Sequence, residues 1–425
     1  MTRAVVVSGA RTPFCKSWGS LLKLNTIDLG VQAVKGLLGR FPGLERDVGA
    51  VVWGGVVLPP HAPNLGREIV LDAGLDPSIE AMTVSRACAS GLQAVTCAAQ
   101  MIERGEAEIV VAGGSDSTSN AAITLPPSFI QKMGPTVMGR SKPKDYLQAL
   151  AQLSPLSDIL PKMPRVAERT TGETMGQSAE KMAARNQITR EAQDEFSVRS
   201  HHRAARAVES GRFSDEVVAV DVPGGDRVLS DDIIRGDTSA EKLAKLRPVF
   251  SRSGTITAGN ASPLTDGAAA VLLMSEERAK AEGLRPLAVV RDWTYVGVDP
   301  RDQLLIGPAL AMPKVLRRAG LSWEQMDRVD MHEAFAAQCL SVMKALSSHE
   351  FVQRRVGDSA MACEIDIERL NVHGGSLSIG HPFGATGARM VTTMANELVL
   401  EDKQFALLGL CAAGGLAGAA VLERV

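Results

Sequence analysis

Aromatic residues are scarce in this chain of 425 residues and make up only 4% of it. That scarcity argues against an aromatic platform on which the bases of a nucleic acid would stack. The charges are also balanced, with 46 Lys and Arg against 48 Asp and Glu, for a formal net charge of -2. No general surface of one sign is therefore expected, and we predict no nucleic-acid partner.

Long apolar runs and a targeting segment are missing as well. No stretch approaches the ~20 apolar residues of a membrane-spanning helix. The chain enters the β-branched run Ala4–Val7 without the charged and apolar regions of a signal peptide. Its six cysteines lack metal-ligand or redox spacing, so we expect neither a metal site nor a disulfide framework; they are Cys15, Cys88, Cys97, Cys339, Cys363 and Cys411. Together these features predict a protein of a reducing cytoplasm.

Glycine is abundant, at 40 residues, and favours close backbone packing. Apolar runs alternate with amphipathic segments, which predicts an α/β fold with a largely parallel sheet. The predicted strands are 4–8, 47–53, 108–112, 267–274, 287–290, 328–331, 405–410 and 416–422. The predicted helices are 26–38, 65–73, 92–102, 177–186, 190–210, 276–281, 312–319 and 388–400.

The pattern is interrupted between residues 119 and 248, which are rich in Pro, Lys, Arg and Met. We therefore predict an N-terminal half of residues 1–118 plus 249–283, an inserted loop domain of residues 119–248, and a C-terminal half of residues 284–425. The two halves share an order of glycine-rich loop, helix, apolar strand and Gly-Gly turn, at 87–114 and again at 380–415. This order indicates an internal duplication whose helix N-termini meet around one central cavity.

One face of the insert mixes apolar residues with the cations Lys132, Arg140, Lys142 and Lys144. It could form a lid, a partner site or a peripheral membrane contact, or simply pack on the domain beneath it. The apolar members are Phe129, Ile130, Met133, Val137, Met138, Tyr146, Leu147, Leu150, Leu153, Leu156, Ile159 and Leu160.

Cys88 is the strongest single candidate for chemistry. It stands among small residues just before a predicted helix, where unpaired N–H groups favour a thiolate and lower the pKa of a cysteine. A thiolate is the nucleophile that acyl transfer requires. A lone cysteine in an alanine-rich segment is more often a packing residue, so Cys88 needs support from elsewhere in the chain.

Three other residues supply that support. His381 precedes Pro382, whose fixed φ suits a first helical turn, so we expect His381 to cap the following helix. Cys411 ends an apolar strand beside a Gly-rich turn, and His332 ends another strand. All three lie in loops after strands, where a nucleophile and its bases commonly meet. We assign His201 and His202 to a solvated helix face.

Five blocks of the sequence, in order, resemble the signature of the thiolase family. They are Cys88-Ala89-Ser90-Gly91, Asn260-Ala261-Ser262, His332-Glu333-Ala334-Phe335, Gly380-His381-Pro382 and Cys411-Ala412-Ala413-Gly414-Gly415. The resemblance covers essentially the whole chain. It implies an α/β thiolase fold of two βαβαβαββ halves in five layers (αβαβα), with a loop domain inserted in the first half. It also implies coenzyme A as a substrate rather than a bound cofactor.

By the same resemblance, Cys88 is the acylated nucleophile, His381 its base and Cys411 the second acid/base. His332 stands where many thiolases have Asn, which resembles the thiolase subunit of the fatty-acid-oxidation multienzyme complex. The N–H groups of Cys88 and Ala413 resemble an oxyanion hole. The positions that resemble coenzyme A contacts are Ala258, Ser262, Phe335 and Met175, and Thr174 fills a place where thiolases often carry His.

These likenesses predict a 3-ketoacyl-CoA thiolase of fatty-acid β-oxidation. The predicted partners are acyl-CoA and CoA, a second copy of the chain (homodimer or dimer of dimers), and a hydratase/dehydrogenase α-subunit. The alternatives are a biosynthetic acetoacetyl-CoA thiolase, a ketoacyl synthase, and a non-catalytic thiolase-fold binding subunit. The pairing of Cys88 with Cys411 favours a thiolase over a ketoacyl synthase.

Overall fold

The computed structural model describes residues 2–154, 157–161 and 167–425. The chain divides into two compact units, Met1–Asn120 with Ala167–Val425, and Ala121–Val166. The boundaries predicted for the larger inserted domain, 119–248, stay a prediction. Among the described residues, no helix has both the length and the apolar character that crossing a bilayer requires.

The elements are numbered in chain order. The first half opens with β1 (Ala4–Arg11), β2 (Cys15–Lys16), α1 (Thr26–Leu38), β3 (Ala50–Gly54), α2 (Leu65–Asp72), β4 (Glu80–Val84), α3 (Ser90–Glu103) and β5 (Ile109–Ser117). The chain that follows forms α4 (Pro127–Met138), α5 (Pro143–Ala151), α6 (Met175–Arg185), α7 (Arg190–Glu209), β6 (Val220–Asp221), β7 (Arg227–Val228) and α8 (Ala240–Ala244).

The first half closes with β8 (Thr265–Ser275) and α9 (Glu276–Ala281). The second half comprises β9 (Ala288–Gly297), α10 (Pro308–Ala319), β10 (Arg328–Met331), α11 (Ala336–Leu346), α12 (His349–Val356), α13 (Ser376–Ile379), α14 (Thr386–Leu400), β11 (Phe405–Ala412) and β12 (Leu416–Arg424). All eight predicted strands and all eight predicted helices are present, most of them with shifted ends.

The main sheet runs in the order β4-β3-β5-β8-β1-β9-β12-β11-β10, with β2 beside β8. The two halves join where β1 meets β9, with Val5 opposite Val289 and Val6 opposite Ala288. Only β3 with β4, β3 with β5, and β10 with β11 are parallel among the described strands. The prediction of a largely parallel sheet is therefore wrong. Helical crossovers make parallel neighbours, whereas the last strand of each half returns beside its predecessor in the opposite direction.

The same strand order in the two halves bears out the duplication. In the first half, β4, β3, β5, β8 and β1 follow one another; in the second, β10, β11, β12 and β9 do. Among the described residues, the place of β4 in the second half is taken by a single parallel bridge, between Val329 and Leu370. Within the described part of the chain, the second half therefore has no full strand at this position.

Three apolar cores lie between the layers of the larger unit. One holds α1 and α2 against one face of the first-half strands, and another holds α10 and α11 against the second-half strands. The central core contains residues of α3 and α14 with the inner faces of both groups of strands. The layers therefore follow the predicted order αβαβα, with α3 and α14 in the middle.

Glycines permit the close approach of the two central helices. A Cβ on Gly91 would lie 2.4 Å from the carbonyl oxygen of Gly384, and one on Gly387 would lie 2.3 Å from the amide nitrogen of Leu92. Gly113 and Gly114, predicted as a turn, lie instead inside β5. A Cβ on Gly114 would lie 2.0 Å from the carbonyl oxygen of Gly384, so glycine is needed there for packing.

The second unit contains the helices α4 and α5. Lys132 Nζ lies 2.8 Å from Asp158 Oδ2, and Met133 and Ala149 are buried. Several apolar side chains of the predicted mixed face are exposed: Ile130, Val137, Met138, Tyr146, Leu147, Leu150, Ile159 and Leu160. Leu156, also counted in that face, lies outside the described residues.

His201 does not lie on a solvated face as expected. It is 8% exposed, accepts the backbone N–H of Arg235 at its Nδ1 (3.2 Å), and burial lowers its pKa to about 4. His202, by contrast, is exposed. The segment at Arg235 covers one side of α7, which the periodicity of α7 alone could not indicate.

Candidate active site

Cys88 lies two residues before α3, in a tight turn. Ala87 has a φ of +45°, a left-handed conformation that is uncommon for a residue with a Cβ. Ser90 holds this turn, since its hydroxyl donates to the carbonyl of Ala87 (2.6 Å) and accepts the N–H of Arg86 (2.8 Å). Cys88 is partly exposed, so the turn presents its thiol at the start of a central helix.

His381 is held at both its backbone and its ring. Its N–H donates to Thr265 Oγ1 (3.1 Å), and its Nδ1 lies 2.7 Å from Thr386 Oγ1. The prediction that His381 caps the helix is wrong, because α14 begins only at Thr386 with Ala385 as its N-cap. A turn closed by the N–H of Ala385 on the carbonyl of Pro382 separates His381 from the helix.

The Thr386 hydroxyl has two possible acceptors for its proton, Pro382 O and His381 Nδ1. When the proton goes to the carbonyl oxygen of Pro382 (3.2 Å), Thr386 Oγ1 accepts the Nδ1–H of the imidazole. That leaves Nε2 of His381 unprotonated. The ring is therefore oriented with an acceptor nitrogen directed away from Thr386.

His332 directly follows the last residue of β10, so it lies at the end of a strand as predicted. Its N–H donates to the carbonyl of Gly409 (2.8 Å), which continues the pairing of β10 with β11. Its Nδ1 lies 2.8 Å from Ser376 Oγ, and the side chain has no exposed surface. Ser376 is the first residue of α13, so the start of this short helix orients His332.

The structure brings Cys88, His332 and His381 together. The two imidazole centroids are 4.1 Å apart, and one ligand atom of each of the three residues lies within 4.8 Å of the others. Among the described residues, Nε2 of either histidine finds no hydrogen-bond partner although both atoms are buried. Such buried unpaired nitrogens are costly and indicate a place prepared for a reacting group.

Cys411 joins the same site from β11. It is fully buried and pairs with Ala417 of β12. Burial, with the charge of a Cys88 thiolate close by, raises the pKa of Cys411 well above the usual value of a thiol. The N–H groups of Ala413 and Cys88 act on the Cys88 sulfur and favour its thiolate. The thiol of Cys411 thus lies near that of Cys88, which itself belongs to the cluster with His332 and His381.

Burial determines the resting charges of the site. Although Cys88 keeps some exposed surface, desolvation of its thiol raises its pKa to about 12, despite the opposing N–H groups of Ala413 and Cys88. The expectation of a lowered thiol pKa is therefore wrong, since desolvation outweighs the helix terminus. Burial, with the charge of Arg389, lowers the pKa of His381 to about 3. At neutral pH the pair is a thiol beside a neutral imidazole.

Three of the four predicted coenzyme A positions border one cluster. Ser262 donates its N–H and its hydroxyl to the carbonyl of Ala334, each at 3.0 Å. Phe335 packs edge-on against Phe250, with ring centroids 6.0 Å apart, and the half-buried Met175 adjoins the same core. Ala258 lies apart from that cluster, on an exposed loop. Thr174 is the N-cap of α6 and accepts the N–H of Gln177 (3.2 Å).

Sequence reasoning missed two acidic residues that accept hydrogen bonds from the backbone of the loops that form the site. Glu168 accepts the N–H of Gly414 (2.8 Å), next to Ala413. Asp116 accepts N–H groups from Val56 and Val57 at 3.0 and 2.6 Å, and one from Gly384 at 2.6 Å. A lone acidic residue after an apolar strand was the signal for Asp116, whereas Glu168 stands in no motif.

Comparison with known proteins then decides the family. Residues 4–277 match the model of the thiolase N-terminal domain, and residues 284–424 match that of the thiolase C-terminal domain. The chain belongs to the thiolase family. The predicted thiolase fold and the acyltransferase class are thereby confirmed.

Individual thiolases are similar along the whole chain. The 3-ketoacyl-CoA thiolase of Photobacterium profundum is 44% identical, over 99% of this chain and 97% of that protein. The crystal structure of a Bacillus anthracis acetyl-CoA acetyltransferase superposes with a TM-score of 0.86 at 32% identity, covering 100% and 99% of the two chains. Human mitochondrial 3-ketoacyl-CoA thiolase gives a TM-score of 0.84 at 31% identity, with the same coverage.

Proposed function

We propose that this thiolase cleaves 3-ketoacyl-CoA with CoA, in fatty-acid β-oxidation, to acetyl-CoA and a shortened acyl-CoA. The observation that carries the proposal is the convergence of Cys88 with two buried, unpartnered imidazole nitrogens. The 44% identity to proteins named 3-ketoacyl-CoA thiolase supports the direction of the reaction. CoA enters as a substrate; a solved relative, human mitochondrial 3-ketoacyl-CoA thiolase, binds CoA.

In the first half-reaction, Nε2 of His381 takes the thiol proton of Cys88 as the sulfur attacks the keto carbon. The oxyanion that forms accepts hydrogen bonds from the N–H groups of Cys88 and Ala413. The carbon–carbon bond then breaks and acetyl-CoA leaves as an enolate. Cys411 protonates its carbon, which leaves an acylated Cys88, a protonated His381 and a Cys411 thiolate.

In the second half-reaction, the Cys411 thiolate takes the proton of the CoA thiol. The CoA sulfur attacks the acyl carbon and expels the Cys88 sulfur, to which His381 returns its proton. His332 faces the same space; when Ser376 donates to its Nδ1, its Nε2–H is a donor for the thioester oxygen. Because Cys88 and His381 begin neutral, no ion pair has to be buried before the substrate arrives.

We further propose a dimer formed at the outer edge of β4. This strand pairs only with β3 among the described strands, and most of its residues are half-buried. An uncovered edge strand invites a further strand, and a second copy of the chain would supply one. A homodimer, or a dimer of such dimers, would then form. A reducing cytoplasm suits the site, since none of the six cysteines is in a disulfide.

The insert is the proposed source of chain-length preference and of contacts outside the dimer. Its exposed apolar residues near Lys142 and Lys144 would suit a long acyl chain, a hydratase/dehydrogenase subunit or a peripheral membrane contact. Gel filtration of the chain with such a subunit tests the second option, because a dimer that ignores the subunit would refute it.

Thiolytic cleavage across a ladder from acetoacetyl-CoA to long-chain 3-ketoacyl-CoA tests the main proposal. Replacing the nucleophile in Cys88→Ala should lower kcat by roughly 10³-fold or more. The matched control is Cys97→Ala, since Cys97 is a partly exposed thiol on α3 itself. Wild-type activity confined to acetoacetyl-CoA would favour the biosynthetic alternative, which the name of the acetyl-CoA acetyltransferase neighbour parallels. No activity from folded protein would favour the binding subunit.

A further inference from the structure

The cluster of Cys88, His332 and His381 has the composition of a metal site. A thiolate and two imidazoles form a donor set that suits Zn²⁺, and sites with three protein ligands keep a fourth position open. One ligand atom from each residue lies within 4.8 Å of the other two. The proposed thiolysis uses these atoms for proton transfer, so a metal ion would compete with the reaction.

We propose that Cys88, His332 and His381 bind Zn²⁺ and that the bound ion reversibly blocks the nucleophile. In this complex a Zn–S bond replaces the S–H bond of Cys88, whose proton passes to solvent. Nε2 of each histidine supplies a nitrogen lone pair, which for His332 requires the tautomer whose Nδ1–H donates to Ser376, and water completes the tetrahedron.

The two imidazoles are already oriented as zinc ligands usually are. Nδ1 of His332 is held by Ser376 (2.8 Å), and Nδ1 of His381 is held by Thr386 (2.7 Å). Partners of this kind on the far nitrogen orient metal-binding histidines. The near nitrogens, Nε2, are without a hydrogen-bond partner among the described residues, and the side chains are only 0% and 4% exposed.

The spacing allows the site to close on an ion. Zn–S and Zn–N bonds of about 2.3 and 2.0 Å put tetrahedral ligands roughly 3.3–3.6 Å apart. A closing movement of about 1 Å is then needed from a separation of up to 4.8 Å. Cys88 can supply it by rotation about χ1, because its neighbours Ala87 and Ala89 are small. Its partial exposure gives the ion a way in.

His332 is the residue that completes the site. An Asn at this position, where many thiolases carry one, would leave the site with only one thiolate and one imidazole. The binding of zinc needs only the three ligands, whereas the inhibition rests on the proposed role of Cys88 as nucleophile. The two parts can therefore be tested separately.

Binding is measured on the full-length protein, free of CoA, by equilibrium dialysis with Zn²⁺ and by absorption with Co²⁺ as a spectroscopic substitute. We expect one tightly held equivalent per chain and a thiolate-to-cobalt charge-transfer band. Cys88→Ala should lose the band, and His332→Asn should weaken zinc affinity about 10–100-fold or more. Cys97→Ala should retain both, and Mg²⁺ should not compete.

Zinc should also slow alkylation of Cys88 by iodoacetamide in the wild-type protein, a readout that needs no variant to fold. An unchanged cobalt band in Cys88→Ala, or unchanged zinc affinity in folded His332→Asn and His332→Gln, would place the ion elsewhere and overturn the site. Zinc bound at Cys88 without loss of thiolysis would instead overturn the inhibition and the proposed role of Cys88, while the site itself would stand.

Discussion

The two halves of the duplicated fold carry different residues on the same backbone frame. Ser90 stands as far before Ile109 as Thr386 does before Phe405, so positions in the two halves can be paired. On that pairing Cys88 corresponds to Gly384, and Cys411 corresponds to Ser115. Ser115 accepts the indole N–H of Trp53 (2.9 Å) and serves packing. The two halves therefore share equivalent backbone positions, but each half carries its site thiol at a different one of these positions.

The halves also differ in how they bury charge. Val52 of β3 lies opposite Ala112, and the corresponding Asp330 of β10 lies opposite Leu408. Asp330 is buried and pairs with Arg389 of α14 at 3.1 Å, whereas the first half has Gln93 at the place of Arg389. The charge of Arg389 helps to keep His332 and His381 neutral. The second half thus keeps a buried ion pair that serves the site and that the first half does without.

The largest expected loss of stability comes from replacing Arg389 of this ion pair with Gln, the residue at the corresponding position of the first half. Arg389→Gln should lower the free energy of unfolding by about 3–5 kcal/mol, because it leaves Asp330 buried without its cation. The double variant Asp330→Val with Arg389→Gln, which copies both first-half residues, should recover most of that loss. Denaturant unfolding of wild type, Arg389→Gln, Asp330→Val and the double variant measures the coupling. Additive losses would mean that the pair does not act as a unit.

One buried carboxylate in each half, Asp116 and Glu397, should contribute to the free energy of unfolding with opposite dependences on pH. Burial raises the pKa of Asp116 to about 6, above an ordinary value of 3.8. The folded protein then holds this proton more tightly than the unfolded chain, so the contribution of Asp116 is largest below pH 3.8. It declines by up to about 3 kcal/mol as the pH rises to 6. Asp116→Asn should remove that decline.

Glu397 of the second half should behave in the opposite way. Burial alone would raise the pKa of Glu397, but hydrogen bonds and charge from His373 and Arg328 lower it to about 2, from 4.5. Its contribution is complete above pH 4.5 and disappears as the pH falls towards 2. Unfolding free energies of wild type, Asp116→Asn and Glu397→Gln across this pH range test both signs. The same slope from both variants would contradict the comparison.

A smaller loss is expected where the halves touch. Gly114→Ala would push a methyl group against the carbonyl oxygen of Gly384, and overpacking of this kind costs about 1–3 kcal/mol. Gly297→Ala is the matched control, because it also lies in a strand and has open space at the Cβ position. Thermal unfolding should show a clear loss for the first variant and a change within about 0.5 kcal/mol for the second. Equal effects would show that the contact is not tight.

The smallest effect should come from the residue that orients His381. Thr386→Val removes the acceptor for Nδ1–H, so we expect kcat to fall roughly tenfold or more through loss of the productive tautomer. Thr386→Ser should restore it. Thr392→Val on α14 is the control, since the Thr392 hydroxyl is buried and has no hydrogen-bond partner in the part of the chain that the structure describes. A fall in stability without a change in kcat or in its pH profile would give Thr386 a purely structural role.

Local signals explain which elements could be predicted. Helix α1 was predicted at Thr26–Leu38 and is found there, because Asn25 and Asp28 form a capping box that marks its start. The start of α14 was predicted two residues late, since its N-cap Ala385 has no side chain to mark it. The direction of the strands was not predictable from periodicity, because apolar runs read the same in parallel and antiparallel pairs.

The sequence by itself determined the family and the order of the elements, and it predicted four candidate reactive residues, because these depend on short motifs and local periodicity. The tertiary structure decided the rest. Desolvation by surrounding layers, rather than the helix terminus, sets the charge of Cys88. Glu168 and Asp116 reach the site only through folding, from positions distant from its motifs. Burial and contacts between distant segments are properties of the packed chain, and no single stretch of sequence contains them.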